Sequence, residues 1–253
     1  MNITWNAADY SKNFSFVHEY GEDVLNLIRS PAGSFAADLG CGGGDLTAKL
    51  AEKGFRVAGI DSSNEMLSLA RQNHPGIRFI QSDALDFSLP QGELADVVFS
   101  NAVFHWIDGE KQAALLSNIN KNLKAGGELV AEFGGAGCAQ KVHSALNQAF
   151  AARSLVYPRV FFFPTIGEYA PLLERAGFRV EYAVLFDRPT PQKGQDGLAD
   201  WIRMFVKKPF EGLTPETKDA ILADAVKTLK PALYRDGTWF IDYVRLRFRA
   251  VKR

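Results

Sequence analysis

In FAADLGCGGGDLT (35–47), two acids, Asp38 and Asp45, bracket a glycine cluster of Gly40, Gly42, Gly43 and Gly44. A β-rich run leads into the cluster and a helical pattern, AKLAEK, follows it. Glycines there permit a tight turn and let a ligand approach the backbone closely. The free N–H groups of the following helix attract an anion, and ligands of open α/β sheets sit at the carboxyl ends of strands. In dinucleotide binders this device reads GxGxxG and holds a pyrophosphate. Here Gly40 and Gly42 supply the first two glycines, but the third position is Asp45. A carboxylate at the helix start opposes a pyrophosphate, and Asp38 adds a second acid. The pair suits a ligand with a cationic group and argues against NAD.

The next chemical side chains fall at further strand ends. Asp61 closes RVAGI (56–60), 21 residues after Gly40, and Asp83 follows IRFIQ (77–81). Asn101, Ala102, His105 and Trp106 follow ADVVFS (95–100). His105 titrates near neutrality when unperturbed, so it suits a general base. Packing, or positioning of a substrate, is the equal alternative.

These positions require a scaffold, and the sequence supplies one. Strand patterns at 35–39, 56–60, 77–81, 95–100 and 128–133 alternate with helical patterns at 17–29, 44–53, 64–73, 109–123 and 139–152. Short apolar strands alternating with helices predict a parallel sheet covered on both faces. Then FRVEYAVLF (178–186) reads as a strand that the two prolines of DRPTPQ end. Helical patterns follow at 198–207 and 215–230, before a last strand at 239–250. There Val244, Leu246, Phe248 and Ala250 alternate with Arg245, Arg247 and Arg249. Residues 151–177 and 188–237 read as material laid over the sheet, shaping a pocket. One domain is expected over 1–253: an N-terminal lid and helix (1–30), a cofactor-binding core (31–150), a substrate cap (151–237) and a final strand (238–253).

Lys+Arg and Asp+Glu both number 29, so no global field draws the chain to nucleic acid or an anionic membrane. The basic residues among the last ten, Arg245, Arg247, Arg249, Lys252 and Arg253, read as a solvated face. Two cysteines, Cys41 and Cys138, form no disulfide framework, and no Cys/His spacing suggests a metal. The opening MNITWNAADYSKNF lacks a basic flank before an apolar run, and no apolar stretch nears the roughly 20 residues of a membrane helix. A cytoplasmic protein is expected.

The loop AADLGCGGGDLT resembles motif I of the class I S-adenosylmethionine-dependent methyltransferases. The resemblance continues in order through VAGIDSSNEML (57–67), FIQSDALDF (79–87), DVVFSNAVFHWI (96–107) and LKAGGELVAEF (123–133). The NAxxHW form and the Trp5–Tyr10 opening are similar to the group containing trans-aconitate methyltransferase (methyltransferase type 11) and other small-molecule O-methyltransferases. FPT…ERAGF and WFIDYVRLRF extend it, more weakly, to the C-terminus. The resemblance implies a Rossmann-like sheet of seven mostly parallel strands with helices on both faces. The last strand is antiparallel, and a helical cap is inserted between the late strands.

The same resemblance implies the site. Asp61 would accept hydrogen bonds from both ribose hydroxyls; a helix N-cap is its alternative. Ser62 and Met66 would flank the adenosine, with Met66 equally suited to the core. Asp83 would bind the adenine amino group and Ala84 give a backbone contact, or Asp83 is a turn residue. Gly40 and Gly42 would contact the methionine portion, Asp38 would orient its amino group, and Asn101 and Ala102 would lie near that end. Trp5, Tyr10 and Phe14 could close aromatic faces over the sulfonium, or simply anchor their segment. Trp106, Arg159 and Phe162 are candidate acceptor contacts, within a Phe161–Pro164 run joined by Trp201, Phe205 and Trp239. Arg153, Arg188 and Arg203 are further candidates for an acceptor carboxylate.

The implied reaction is in-line methyl transfer to a small molecule, on a carboxylate or hydroxyl oxygen, with S-adenosylhomocysteine as by-product and no metal. Three alternatives stand beside it: a catalytically silent S-adenosylmethionine-binding protein, an NAD-linked oxidoreductase, and an RNA methyltransferase. Nucleic-acid and membrane partners are not expected, and oligomeric state is not legible.

Overall fold

The computed structural model describes residue 21 and residues 23–253. Strands β1 (Phe35–Leu39), β2 (Arg56–Asp61), β3 (Arg78–Gln81), β4 (Ala95–Asn101) and β5 (Leu123–Gly134) alternate with helices α1 (Asp45–Glu52), α2 (Asn64–Asn73) and α3 (Gln112–Asn122). Then come α4 (Gln140–Ala151), α5 (Ile166–Arg175), β6 (Phe178–Gln192), α6 (Gly197–Phe205), α7 (Pro215–Leu233), β7 (Tyr234–Arg235) and β8 (Thr238–Lys252). The sheet runs β3-β2-β1-β4-β5-β8-β6, with the two-residue β7 also paired to β8. Strands β1 to β5 are parallel, and β8 is antiparallel to both of its long neighbours. This is a Rossmann-like sheet whose last strand is reversed, with seven principal strands and a short eighth.

The order reverses between β1 and β4, so their carboxyl ends splay apart and leave a crevice at the switch point. One face is closed by α3 and α5 over Val98, Leu129, Phe133, Leu246 and Phe248. The other carries α1, with Leu46 and Leu50 on Ala36, Val97, Phe99 and Val130. Cap helices α6 and α7 form a separate apolar cluster with α4, Trp106, Phe161 and Trp239.

Two sequence expectations change. The prolines of DRPTPQ do not end β6, which pairs with β8 from Phe178↔Lys252 to Gln192↔Trp239. In an extended strand, residues two apart turn their backbone polar groups to the same side. Pro189 and Pro191 therefore face the open edge, where a missing N–H costs no ladder bond. Nor is the basic stripe of β8 a solvated face: Arg245 and Arg249 are buried. The reason lies on β5, where Glu128 and Glu132 point to the same side of the sheet. Arg249 Nε donates to Glu128 at 2.5 Å and Arg247 Nε to Glu132 at 2.6 Å. Arg188 of β6 grips Glu132 through both Nη atoms, at 2.6 and 2.9 Å. Such charge-assisted contacts, the bidentate Arg188 pair above all, are among the stronger hydrogen bonds a protein makes. Among the described residues, no helix is long and apolar enough to cross a membrane.

Candidate functional site

The glycine loop is built so that backbone, not side chain, lines the crevice. Gly40 has φ 76° and sits against Val103, whose Cγ2 would lie 2.2 Å from a β-carbon. Gly44 enters α1 at φ 86°, with the Phe79 ring 2.7 Å from where a β-carbon would stand. Both positions demand the left-handed region and leave no room for a side chain. Gly42, also at positive φ, lies beside the buried Met66, whose Cε is 3.2 Å from its β-carbon position.

Asp38 and Asp61 flank this loop from the ends of β1 and β2. Asp38 is 2 % exposed and takes the Thr47 hydroxyl at 2.6 Å. Burial pushes its carboxyl up to about 7; the Thr47 bond opposes the shift and the charge of Asp61 adds to it. Asp61 accepts the Gly42 N–H at 3.0 Å on one oxygen and the Ser63 N–H at 2.8 Å on the other. Burial raises its pKa as well, against those backbone bonds. The helix cap is not Asp61 but Ser63, whose Oγ accepts the Met66 N–H. Among the described residues, no Lys or Arg pairs with either acid. Two buried acids with no cationic partner among the described residues favour a ligand with positive charge, such as S-adenosylmethionine, over a polyphosphate.

Cofactor affinity is therefore expected to depend on pH. A cation beside Asp38 favours its ionised form, so binding expels a proton below pH 7, and Asp61 shifts in the same sense. Affinity should fall about tenfold per unit as pH drops below 7, with a plateau above it. Calorimetry in buffers of different ionisation enthalpy at pH 6 reads the released proton; a pH-independent affinity between 6 and 8 would contradict it. In the free protein the raised pKa opposes folding: stability is lost as pH rises from the ordinary carboxylate range through about 7.

Asp83 accepts the Leu85 N–H at 2.9 Å, a turn contact that occupies one carboxyl oxygen. Ala84 is buried beside it, and Ser62 is half-buried after β2. Past β4, Ala102 adopts φ 61° and its N–H bonds Glu132 O at 2.7 Å. This left-handed conformation is uncommon for a residue with a side chain. Asn101 ends β4 beside it. Trp5, Tyr10 and Phe14 lie outside the described residues.

The loop after Ala102 forms a single 3₁₀ turn, Phe104–Trp106. Gln112 pins it from α3, donating to Phe104 O and Ile107 O at 2.9 Å, and the buried Tyr169 hydroxyl donates to Gln112 in turn. His105 and Trp106 thereby face a narrow cleft with about 40 Å³ of free space, lined also by Ala102, Phe161, Phe205 and Arg245. Phe161 and Phe163 stack there, 5.3 Å apart and within 5° of parallel. Phe162 alternates away, packing toward Tyr169, so its neighbours on either side supply the lining instead. Arg159 is exposed and off the cleft wall. Arg153 pairs with Asp224, Arg203 with Asp200 and Arg188 with Glu132, so none of these lines the cleft. Tyr243, Arg245 and Cys138 line it without having been expected to.

His105 is not set up as a base. Its Nδ1 accepts the Gly134 N–H at 3.3 Å, which places the ring proton on Nε2. Burial, and secondarily Arg245, holds its pKa well below 6.5. The imidazole is neutral and a donor. Cys138, pushed up to about 11 by burial, is a thiol at neutral pH. Among the described residues, no three His, Cys, Asp or Glu side chains are grouped to hold a metal.

The methyltransferase-domain family matches residues 36–127, the segment carrying the glycine loop and the strand-end acids. An uncharacterised methyltransferase of Schizosaccharomyces pombe is 34% identical over 257 residues, covering 98% of each chain. Trans-aconitate 2-methyltransferase of Variovorax paradoxus is 25% identical over 264 residues, 99% of each. A solved S-adenosylmethionine-dependent methyltransferase from Mesorhizobium loti superposes with a TM-score of 0.55 at 19% identity, over 93% of this chain and 98% of that one. With the reversed last strand, the glycine loop and its two acids, these likenesses show that the chain belongs to the class I S-adenosylmethionine-dependent methyltransferases.

Proposed function

We propose that the protein methylates a carboxylate oxygen of a small organic acid. The observation that carries this reading is the state of His105. Its free lone pair is already engaged by Gly134, so it cannot take a proton from a hydroxyl acceptor. A carboxylate has no proton to give up at neutral pH. The narrow aromatic cleft and the full-length likeness to a trans-aconitate 2-methyltransferase support the same substrate class.

S-adenosylmethionine supplies a methyl group already activated by its positive sulfur. The chain's residues do the rest by placement. Asp61, Asp83 and the backbone of Gly40 and Gly42 hold the cofactor, with Asp38 facing its cationic end. Trp106, Phe161 and Phe163 exclude water from the acceptor side. A carboxylate oxygen forms the new O–CH₃ bond as the S–CH₃ bond breaks, and the sulfonium leaves as the neutral thioether of S-adenosylhomocysteine.

Parallel calorimetric titrations with S-adenosylmethionine, S-adenosylhomocysteine and NAD test the cofactor half. Micromolar binding of the first two and none of NAD is expected. Methyl-labelled cofactor incubated with trans-aconitate should then yield a base-labile methyl ester. Label recovered instead in a base-stable ether or amine would refute the carboxylate reading, and binding without any product would leave a silent cofactor-binding protein.

A further inference from the structure

Three polar side chains on the cleft wall, His105, Tyr243 and Arg245, are placed to donate a proton into it. His105 presents Nε2–H, because Nδ1 is held by Gly134. Tyr243 accepts the Trp201 Nε1–H at 2.6 Å, which leaves its own hydroxyl proton to donate outward. Arg245, opposite Gly134 in the β5–β8 ladder, completes the set.

Arg245 is 6 % exposed, yet its Nε is buried without a hydrogen bond. Among the described residues its only carboxylate neighbour is Glu132, at 3.9 Å, beyond hydrogen-bond reach. Glu132 is drawn toward Arg188 and Arg247, which donate three hydrogen bonds to it, and its distance leaves Arg245 Nε unsatisfied. Three guanidinium groups thus share one carboxylate. Asp242, the other acid near Cys138, faces the start of α4, where it accepts the Lys141 N–H at 2.9 Å. Arg245 stacks over the Tyr243 ring, 4.6 Å from its centroid. A buried, positively charged donor with a hydrogen-bond vacancy is costly unless an anion completes it.

We propose that Arg245, with the Tyr243 hydroxyl, clamps a carboxylate of the acceptor other than the one that is methylated. This rests on the carboxylate reading above and sharpens it: the acceptor carries at least two carboxylates. A guanidinium fork draws electron density from the carboxylate it holds, so a second, unclamped carboxylate is the better nucleophile. The aromatic rings of Phe161, Trp106 and Phe163 cover the carbon skeleton between the two charges.

The test is calorimetric titration of the protein saturated with S-adenosylhomocysteine, using tricarballylate, glutarate and butyrate as probes with three, two and one carboxylates. Wild type should bind the first two and hold butyrate at least about tenfold more weakly. Arg245→Met should lose at least about 30-fold in tricarballylate affinity while S-adenosylhomocysteine affinity stays within about twofold. Arg245→Lys, which keeps the charge but not the fork, should fall between them. Tyr243→Phe provides a second probe of the clamp if Arg245→Met fails to fold. No discrimination among the three acids, or unchanged tricarballylate affinity in the variants, overturns the assignment. Should S-adenosylhomocysteine bind while no polycarboxylate does, the anchor falls and the methyltransferase reading stands. Loss of both binding events in folded wild type removes the reading itself.

Discussion

Asp61→Ala is expected to weaken S-adenosylmethionine binding by about 100-fold or more while the protein stays folded. Each carboxylate oxygen already accepts one backbone N–H, from Gly42 or from Ser63, and retains a further lone pair. A ribose diol can fill both. Hydrogen bonds to a charged group contribute about 1.5–3 kcal/mol each, so losing two predicts a drop of this size. Stability should change little: the substitution orphans two N–H groups but removes a buried carboxylate whose pKa burial already raises. Calorimetry with S-adenosylhomocysteine reads the first effect and thermal unfolding the second. Unchanged affinity would end the ribose assignment. Asp61→Asn, which keeps an acceptor without the charge, should fall in between.

Glu132→Leu should have the largest effect on the fold. Glu132 is 2 % exposed and is the shared counter-ion of Arg188, Arg247 and, at longer range, Arg245. Removing one partner of a buried ion pair costs about 3–5 kcal/mol, because the charges left behind have no compensation. For a chain of this size that lowers the melting temperature by about 10 °C or more. The double variant Glu132→Leu/Arg247→Leu should recover part of the loss, since it deletes one orphaned cation with the acid. A cost under about 1 kcal/mol would mean that water, not Glu132, neutralises these arginines.

The first half of the chain was legible because its grammar is local. Strands β1 to β4 and helix α2 begin within a residue of where composition places them, and the cofactor candidates within 35–133 lie at or just beyond the carboxyl ends of strands. The second half depends on neighbours that the sequence does not reveal. Nothing in DRPTPQ says that its strand lies at a sheet edge. The arginine stripe of β8 shows its period, but its burial follows from a ladder register that sets Arg247 against Glu132. Arg245 was unreadable as a site residue for the same reason. Phe162 was misplaced because a run of three identical residues gives no phase; the structure turns Phe161 and Phe163 inward and Phe162 out. Other signals were present and unused. Thr165 and Glu168 form a reciprocal capping box at the start of α5, behind a helix pattern blurred by Pro171. The Asp236-Gly237 pair, at φ 50° and 76°, marks the β7–β8 hairpin.

The cap leaves the sheet after Gln192 and returns at Trp239, and those two residues are partners in one ladder. Residues 193–238 thus form an excursion whose two ends meet, like a loop at the tip of a long hairpin. Its length can change without moving β1 to β5, since the strands that carry it are fixed to each other and not to its contents. Acceptor preference can therefore diverge among descendants of this scaffold by replacing one contiguous segment. The guanidinium of Arg245, six residues beyond the return point, lies outside that segment, on the strand that carries it.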